Sequence, residues 1–330
     1  MKKIVVCGAG GFIGHHLVTR LKSMGNYVIG VDLVPPHFGK TDAHEFIIGD
    51  LRKNNFVEKL INQPFDEVYQ LAADMGGAGY IFTGLNDADI MMNSASININ
   101  VLNACRINSV KKVFFSSSAC IYPQGLQSEH QNPGLKESFA YPADPDSEYG
   151  WEKLFSERLY LAHKSCYGMN IKIARYHNVF GPQGIFEGGK EKAISAICRK
   201  VAFAKNGESV EIWGTGKQMR SFLFVEECVE GTLQLMNSTE HGPFNIGSEE
   251  MVSIENLTKM VIEISGKNLG ITYIDGPIGV NGRNSQNDLV FEKIKWKPSK
   301  PLGEGLKITY GWINQIINER SLSIKDTQNM

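Results

Sequence analysis

Along the first half of the 330-residue chain, short apolar runs alternate with segments whose apolar positions recur every three or four residues. Lys3–Gly8, Tyr27–Leu33, Glu45–Gly49, Glu67–Ala72, Lys112–Ser117 and Ile171–Tyr176 read as strands. Phe12–Met24, Ile90–Ile107 and Ser147–Cys166 carry helical periodicity between them. Short apolar runs bounded by turn residues suit buried strands, and a 3.6-residue period suits helices laid on a sheet. Their regular alternation predicts a parallel sheet with helices on both faces, because parallel neighbours need a crossover between them.

Beyond Gly181-Pro182 the rhythm loosens. Gly188–Asn206, Val252–Ser265 and Gly303–Arg320 predict helices, and Ser209–Trp213 predicts a short strand. Phe222–Met236 mixes a strand with a helix, and the polar tail from Ser321 is expected to fray. No internal repeat or low-complexity stretch interrupts the pattern.

Composition narrows the classes without choosing among them. Hydrophobic residues make up 42% of the chain and charged residues 21%, which suits a soluble globular protein. With 34 basic and 35 acidic residues the formal net charge is −1, so no global field draws the chain to nucleic acid. No apolar run is long enough to span a membrane, and because Met1-Lys2-Lys3 leads straight into a strand no signal peptide is expected. The cysteines are scattered, without a C-x-x-C pair or zinc spacing. Free thiols in a reducing cytoplasm, and no bound metal, are therefore the expectation.

Gly8-Ala9-Gly10-Gly11-Phe12-Ile13-Gly14 joins the first strand to the first helix. Glycines there let the backbone turn tightly and approach a pyrophosphate at the helix N-terminus. A glycine-rich turn alone says little, but this one has Asp32 at the end of the next strand. A carboxylate at that place suits the ribose diol of NAD and would repel the extra phosphate of NADP. Asp50-Leu51 follows the third strand, where the adenine is expected. The pattern predicts a Rossmann-type doubly wound sheet with a smaller α/β C-terminal lobe. Residues 1–180 form the NAD-binding domain and 181–330 mainly the ligand-binding lobe, with segments of 219–247 returning to the main sheet.

Tyr149 and Lys153 stand at i and i+4 of a predicted helix, on one face. A phenol with an ordinary pKa of ~10 is a poor base at neutral pH. A neighbouring ammonium and the positive nicotinamide ring would favour the phenolate. It could then take a hydroxyl proton while a hydride leaves the same carbon for NAD. Such a pair occurs by chance on many helices, but here it follows a dinucleotide turn and Ser116-Ser117-Ser118.

These three features together resemble the short-chain dehydrogenase/reductase superfamily in its extended form, which acts on nucleotide sugars. The resemblance covers nearly the whole chain. It implies that Ser118 bonds the substrate hydroxyl and that Leu71-Ala72-Ala73 line the cofactor pocket. Several stretches are similar, more narrowly, to the branch that epimerises GDP-mannose. Among them are Ala73-Asp74-Met75-Gly76-Gly77, Ser117-Ser118-Ala119-Cys120-Ile121-Tyr122-Pro123, Tyr176-His177-Asn178-Val179-Phe180 and Gly188-Gly189-Lys190-Glu191-Lys192-Ala193. Cys198-Arg199-Lys200, Gln218-Met219-Arg220-Ser221-Phe222 and Gly282-Arg283-Asn284-Ser285 extend the likeness.

That resemblance implies a GDP-sugar oxidised transiently at C4 and inverted at C3, C5 or both. A ketone at C4 acidifies the hydrogens on C3 and C5, and inversion needs a base on one face and an acid on the other. The resemblance gives those roles to Cys120 and Lys192. Two residues past Ser118, Cys120 would share its pocket if the strand continued. Ordinary pKa values of ~8.5 for a thiol and ~10.4 for a lysine mean that the site must tune both. By default Cys120 would be core filler and Lys192 a solvated helix face. Gly76, Asn178, Lys200, Gln218, Arg220 and Arg283 follow as substrate contacts, arginine suiting a diphosphate by its fork and lysine by its point charge. A homodimer through helices flanking the active-site helix is also implied.

Other functions ask for other residues. A 4-epimerase would need only Ser118, Tyr149 and Lys153, with the sugar turning in the site. A 4,6-dehydratase would want a carboxylate pair where Ala119-Cys120-Ile121 stands. A non-catalytic dinucleotide sensor would have no use for the Tyr/Lys pair. The true sugar, and the product stereochemistry, stay open.

Overall fold

The structure is a computed structural model that describes residues 1–328, with side chains described through residue 320. Six strands arise by residue 176: β1 (Lys3–Cys7), β2 (Tyr27–Asp32), β3 (Glu45–Ile48), β4 (Glu67–Gln70), β5 (Lys112–Ser118) and β6 (Ile171–Tyr176). After these come β7 (Val179–Phe180), β8 (Ser209–Trp213), β9 (Met219–Ser221) and β10 (Leu223–Phe224). The strand Phe244–Ile246, β11, returns to pair with β6. The resulting seven-stranded sheet runs β11-β6-β5-β4-β1-β2-β3, with every pairing parallel. The chain reverses its direction of travel across the sheet between β1 and β4, and a crevice opens at the carboxyl ends of those strands.

Both faces are covered, so residues of both parities are buried along each central strand. Ile4 and Val6 of β1 join Leu17, Val18 and Leu21 of α1 (Phe12–Ser23) in one core. Val5 and Cys7 face the other, with Val57 of α2 (Asn54–Leu60). After the short α3 (Ala78–Ile81), α4 (Asp87–Ile107) adds Ile97 and Val101 to that core, and α5 (Glu148–Tyr167) adds Tyr160. Beneath the sheet ends, the Arg175 guanidinium on β6 pairs with Glu157 of α5 at 2.9 Å, both buried, and ties strand to helix.

The remaining chain builds a smaller lobe around Ile194, Cys198, Val201, Leu257, Leu306 and Ile313. Its helices are α6 (Ala193–Phe203), α8 (Ile254–Ser265) and α10 (Leu302–Gln328), while α7 (Val225–Asn237) packs on α1 and α9 (Asp288–Ile294) lies near β11. β12 (Met251–Ser253) and β14 (Gly282–Arg283) flank β9, and β13 (Gly270–Ile274) pairs with β8.

Three expectations change. The helix expected from Gly188 starts only at Ala193, because Gly188 and Gly189 take φ of +92° and +88°. The helix expected from Val252 starts at Ile254, where the Ser253 hydroxyl accepts the Asn256 N–H at 3.1 Å as an N-cap. The last helix continues to Gln328, past Ser321 where fraying was expected, and residues 329–330 of that tail lie outside the described residues. Among the described residues, no helix is long and apolar enough to cross a membrane.

Candidate active site

Between β1 and α1 the backbone is pressed from both sides. Gly8 takes φ +83°, and a Cβ on Gly14 would sit 2.0 Å from the Gly8 carbonyl oxygen. The first turn of α1 has no side-chain cap and no acidic residue, so its N–H groups are available to an anion. Asp32 accepts N–H groups from Leu33 at 2.7 Å and Gly10 at 3.0 Å, leaving lone pairs for a diol. Burial pushes the Asp32 carboxyl up, and those two N–H groups hold it back. Asp50 is paired with Arg52 at 2.8 Å, which holds its carboxyl low.

Gly8, Gly11, Phe12, Ile13, Gly14, Asp32, Asp50, Leu51, Leu71, Ala72 and Ala73 all line one cavity of about 1130 Å³. A pocket for a single small ligand is roughly 300–1,000 Å³, so this one has room for a dinucleotide and a second ligand. The glycine cradle, the open helix terminus and the Asp32 carboxylate fit NAD.

The same cavity is lined by Ser118, Cys120, Tyr149, Lys153 and Lys192. Ser147 caps α5, its hydroxyl accepting the Gly150 N–H at 3.3 Å. Gly150 is required because a Cβ there would lie 2.2 Å from the Cys120 carbonyl oxygen. The start of α5 is thus seated on the Cys120 backbone, which brings Tyr149 in beside it. Burial raises the Tyr149 phenol, Cys120 and Glu152 add to that, and the Ser118 hydroxyl opposes it. The Lys153 ammonium lies 5.7 Å from the Tyr149 ring centre and donates to the Ser116 carbonyl oxygen at 2.9 Å. Burial lowers the lysine, with Glu152 and Glu157 pulling the other way.

Cys120 reaches the cavity by a different route from the one the strand pattern predicts. β5 stops at Ser118, whose hydroxyl accepts the Cys120 N–H at 3.2 Å and opens a 3-10 turn over Ala119–Ile121. Strand alternation therefore does not relate the two side chains; the capped turn does. Burial raises the Cys120 thiol, Arg283 lowers it, and Asp146 raises it again. Arg283 donates from Nη1 to Cys120 Sγ at 3.1 Å, from Nε to Gln127 Oε1 at 2.6 Å, and from Nη2 to Asp146. These bonds use three of the five N–H groups of that guanidinium.

Lys192 does not sit on a helix face. It is the N-cap residue of α6, with extended backbone, at the end of the Gly188–Glu191 loop. Burial among the cavity walls lowers its pKa, with Cys120 opposing. The loop is latched from the other lobe: the Gly77 N–H donates to the Lys190 carbonyl at 3.0 Å, and Lys190 pairs with Asp74 at 3.2 Å. Asp74 also accepts from Tyr80 and Asn93, each at 2.9 Å.

The residues expected to contact substrate line the cavity as well. The Asn178 amide donates to the Ser221 carbonyl at 2.9 Å, Gln218 to the Trp213 carbonyl at 3.0 Å, and Lys200 to the Glu211 carbonyl at 2.7 Å. Arg220 donates only to backbone carbonyls, of Met219, Ile278 and Val280, among the bonds described, and burial disfavours its charge. At Gly76 a Cβ would meet Tyr80 Cβ at 2.7 Å, so packing within the chain already demands glycine there. Sequence reasoning missed Asp146, Gln127 and the Asp74 latch. Each acts on a residue more than 100 positions away, and no local signal marks it.

A cavity joining a dinucleotide cradle to a buried tyrosine, lysine and strand-end serine defines a nicotinamide-linked α/β enzyme. The chain belongs to the NAD dependent epimerase/dehydratase family, whose model matches residues 4–247. It is 45% identical over 98% of its length, and 85% of the relative's, to GDP-mannose 3,5-epimerase from Arabidopsis thaliana. A GDP-mannose 3,5-epimerase 1 from Oryza sativa subsp. indica is also 45% identical, over 96% of this chain and 83% of the relative. Among solved structures, UDP-glucose 4-epimerase from Thermotoga maritima superposes with a TM-score of 0.85 at 25% identity, covering 96% of this chain and 99% of the other.

Proposed function

We propose that the chain is an NAD-dependent epimerase of GDP-mannose that inverts C3, C5 or both. One observation carries the reading: Cys120 and Lys192 line the same cavity as Ser118, Tyr149 and Lys153. A 4-epimerase has no task for that second acid–base pair. Bound NAD supplies the hydride acceptor, and later the donor, at sugar C4, so no net redox results. Ser118 orients the C4 hydroxyl and Tyr149 takes its proton, with Lys153 favouring the phenolate. With C4 a ketone, one of Cys120 and Lys192 removes the proton from the neighbouring carbon, and its electron pair passes into the enolate. The other delivers a proton to the opposite face. Arg220 and Lys200 suit the diphosphate by charge, and Arg220 has only carbonyl partners among its described bonds.

The test is incubation of GDP-mannose with the protein in deuterated water. Deuterium is expected at C3, C5 or both, and exchange at neither carbon with substrate bound would sink the reading. Cys120→Ala should abolish exchange while NAD stays bound. A panel of GDP- and UDP-sugars then decides the preferred sugar.

The working unit is a homodimer in this reading. Met92 and Ile99 on α4, and Trp151 and Phe155 on the adjoining α5, are 72%, 47%, 41% and 49% exposed, an apolar surface on two neighbouring helices. Phe155→Glu should convert a dimer to a monomer in light scattering. The cysteines are free thiols, which supports a reducing compartment, the cytoplasm. The lobe division near residue 180 belongs to the same reading, with the cofactor on the first lobe and the sugar nucleotide mainly on the second.

A further inference from the structure

We infer that Asp146 is a positioning residue that sets the proton affinity of Cys120 through Arg283. The inference rests on the acid–base role proposed for Cys120. Three side chains converge on the guanidinium that Arg283 extends from β14: Asp146 from the loop before α5, Gln127 from the turn Gln124–Gln127, and Cys120 from the turn after β5. The Arg283 and Asp146 side chains are only 7% and 2% exposed. β14 has no freedom to retreat, since Asn132 holds the Gly282 carbonyl at 2.6 Å and a Cβ on Gly282 would lie 2.3 Å from the Glu129 carbonyl oxygen. The arginine is therefore aimed at Sγ, and Asp146 fixes that aim.

Asp146 is absent from the cavity wall, whereas Arg283 and Cys120 are on it. Its Oδ1 accepts the Ser147 hydroxyl at 2.9 Å and its Oδ2 accepts Arg283, so neither oxygen faces a substrate. It must act through the arginine. The charged and titratable groups that face Cys120 are Arg283, Asp146, Tyr149 and Lys153 of α5, Lys192 ahead of α6, and Arg220 of β9. An arginine without a counter-ion would trap Cys120 as a thiolate, and a thiolate held too firmly is a weak base. Epimerisation needs a group that both takes and returns a proton. The Asp146 carboxylate draws the guanidinium charge toward itself and repels the thiolate, which keeps both forms of Cys120 within reach.

The test is the pH dependence of iodoacetamide alkylation at Cys120, read by peptide mass spectrometry on the NAD-bound protein. Cys166→Ser removes the exposed thiol first. Asp146→Asn should lower the midpoint by about one pH unit, and Arg283→Met should raise it by about as much. Asp146→Glu should restore the parental midpoint. Opposite displacements with rescue by glutamate support the inference. An unchanged midpoint, displacements in one direction, or a glutamate variant that behaves like asparagine overturns it. Should Arg283→Met lose NAD binding, the asparagine and glutamate pair alone decides. Alkylation does not need turnover, so absence of deuterium exchange in the parent protein would sink the proposed function and leave this result standing.

Discussion

The carbonyl oxygen of Ser116 accepts the Lys153 ammonium at 2.9 Å, so the lysine of α5 is tethered to β5 two residues before Ser118. That tether fixes the spacing between ammonium and phenol more firmly than helix geometry alone could. The i and i+4 pair is thereby held against the strand that carries the serine.

Tyr149→Phe should retain NAD binding and lower turnover by about 10²–10⁴-fold, the usual weight of a positioned acid–base group. Because burial raises the Tyr149 phenol, the parent rate should climb as pH rises. Steady-state rates from about pH 6 to about pH 9 check this. A flat profile there would remove the phenolate from the rate-determining chemistry.

Gly77→Ala tests the latch on Lys192. The new methyl carbon would lie 2.1 Å from the Glu191 carbonyl oxygen, so the loop before α6 must move. Overpacking of this kind costs about 1–3 kcal/mol. Exchange at C3 and C5 should slow by at least about tenfold, while NAD affinity measured by fluorescence titration changes by less than about twofold. Equal losses in both would mean that Gly77 serves the fold as a whole.

His177 should make the protein acid-sensitive. Its Nε2 bonds Asn245 Oδ1 at 3.1 Å, its Nδ1 has no partner among the described residues, and burial lowers it to about 3. Between an unfolded value of ~6.5 and that folded value, the unfolded chain binds a proton that the folded chain refuses. Stability therefore falls as pH drops through that window, by a contribution on the order of 4 kcal/mol at its lower end. His177→Gln should flatten the curve of Tm against pH below about 6.5 relative to the parent. Parallel curves would assign the acid sensitivity to other groups.

What the sequence made legible is what repeats locally. β1, α1 and β2 are short periodic segments, and the glycine turn between them lines the cavity that fits a dinucleotide. Tyr149 and Lys153 are neighbours on one helix, so their pairing is readable without tertiary structure. Cys120 is different: the pattern of β5 gives no sign that it ends in a capped turn at Ser118. Lys192 looks like part of a helix until Gly188 and Gly189 adopt positive φ. The Arg283 contacts with Asp146 and Gln127 join segments 137 and 156 residues apart, and nothing in either segment points to the other.

The late arrival of β11 has a consequence for how the chain can be cut. A fragment ending near residue 180 would keep β6 but lose its outer neighbour, the strand paired with Ala174, Arg175 and Tyr176. It would also lose α7, which covers α1. Such a piece carries every residue of the proposed cofactor cradle yet ends in a bare sheet edge, a template for another copy of itself. The proposed cofactor cradle and the closure of that sheet edge thus come from segments far apart, because the chain supplies the edge strand only after visiting the other lobe.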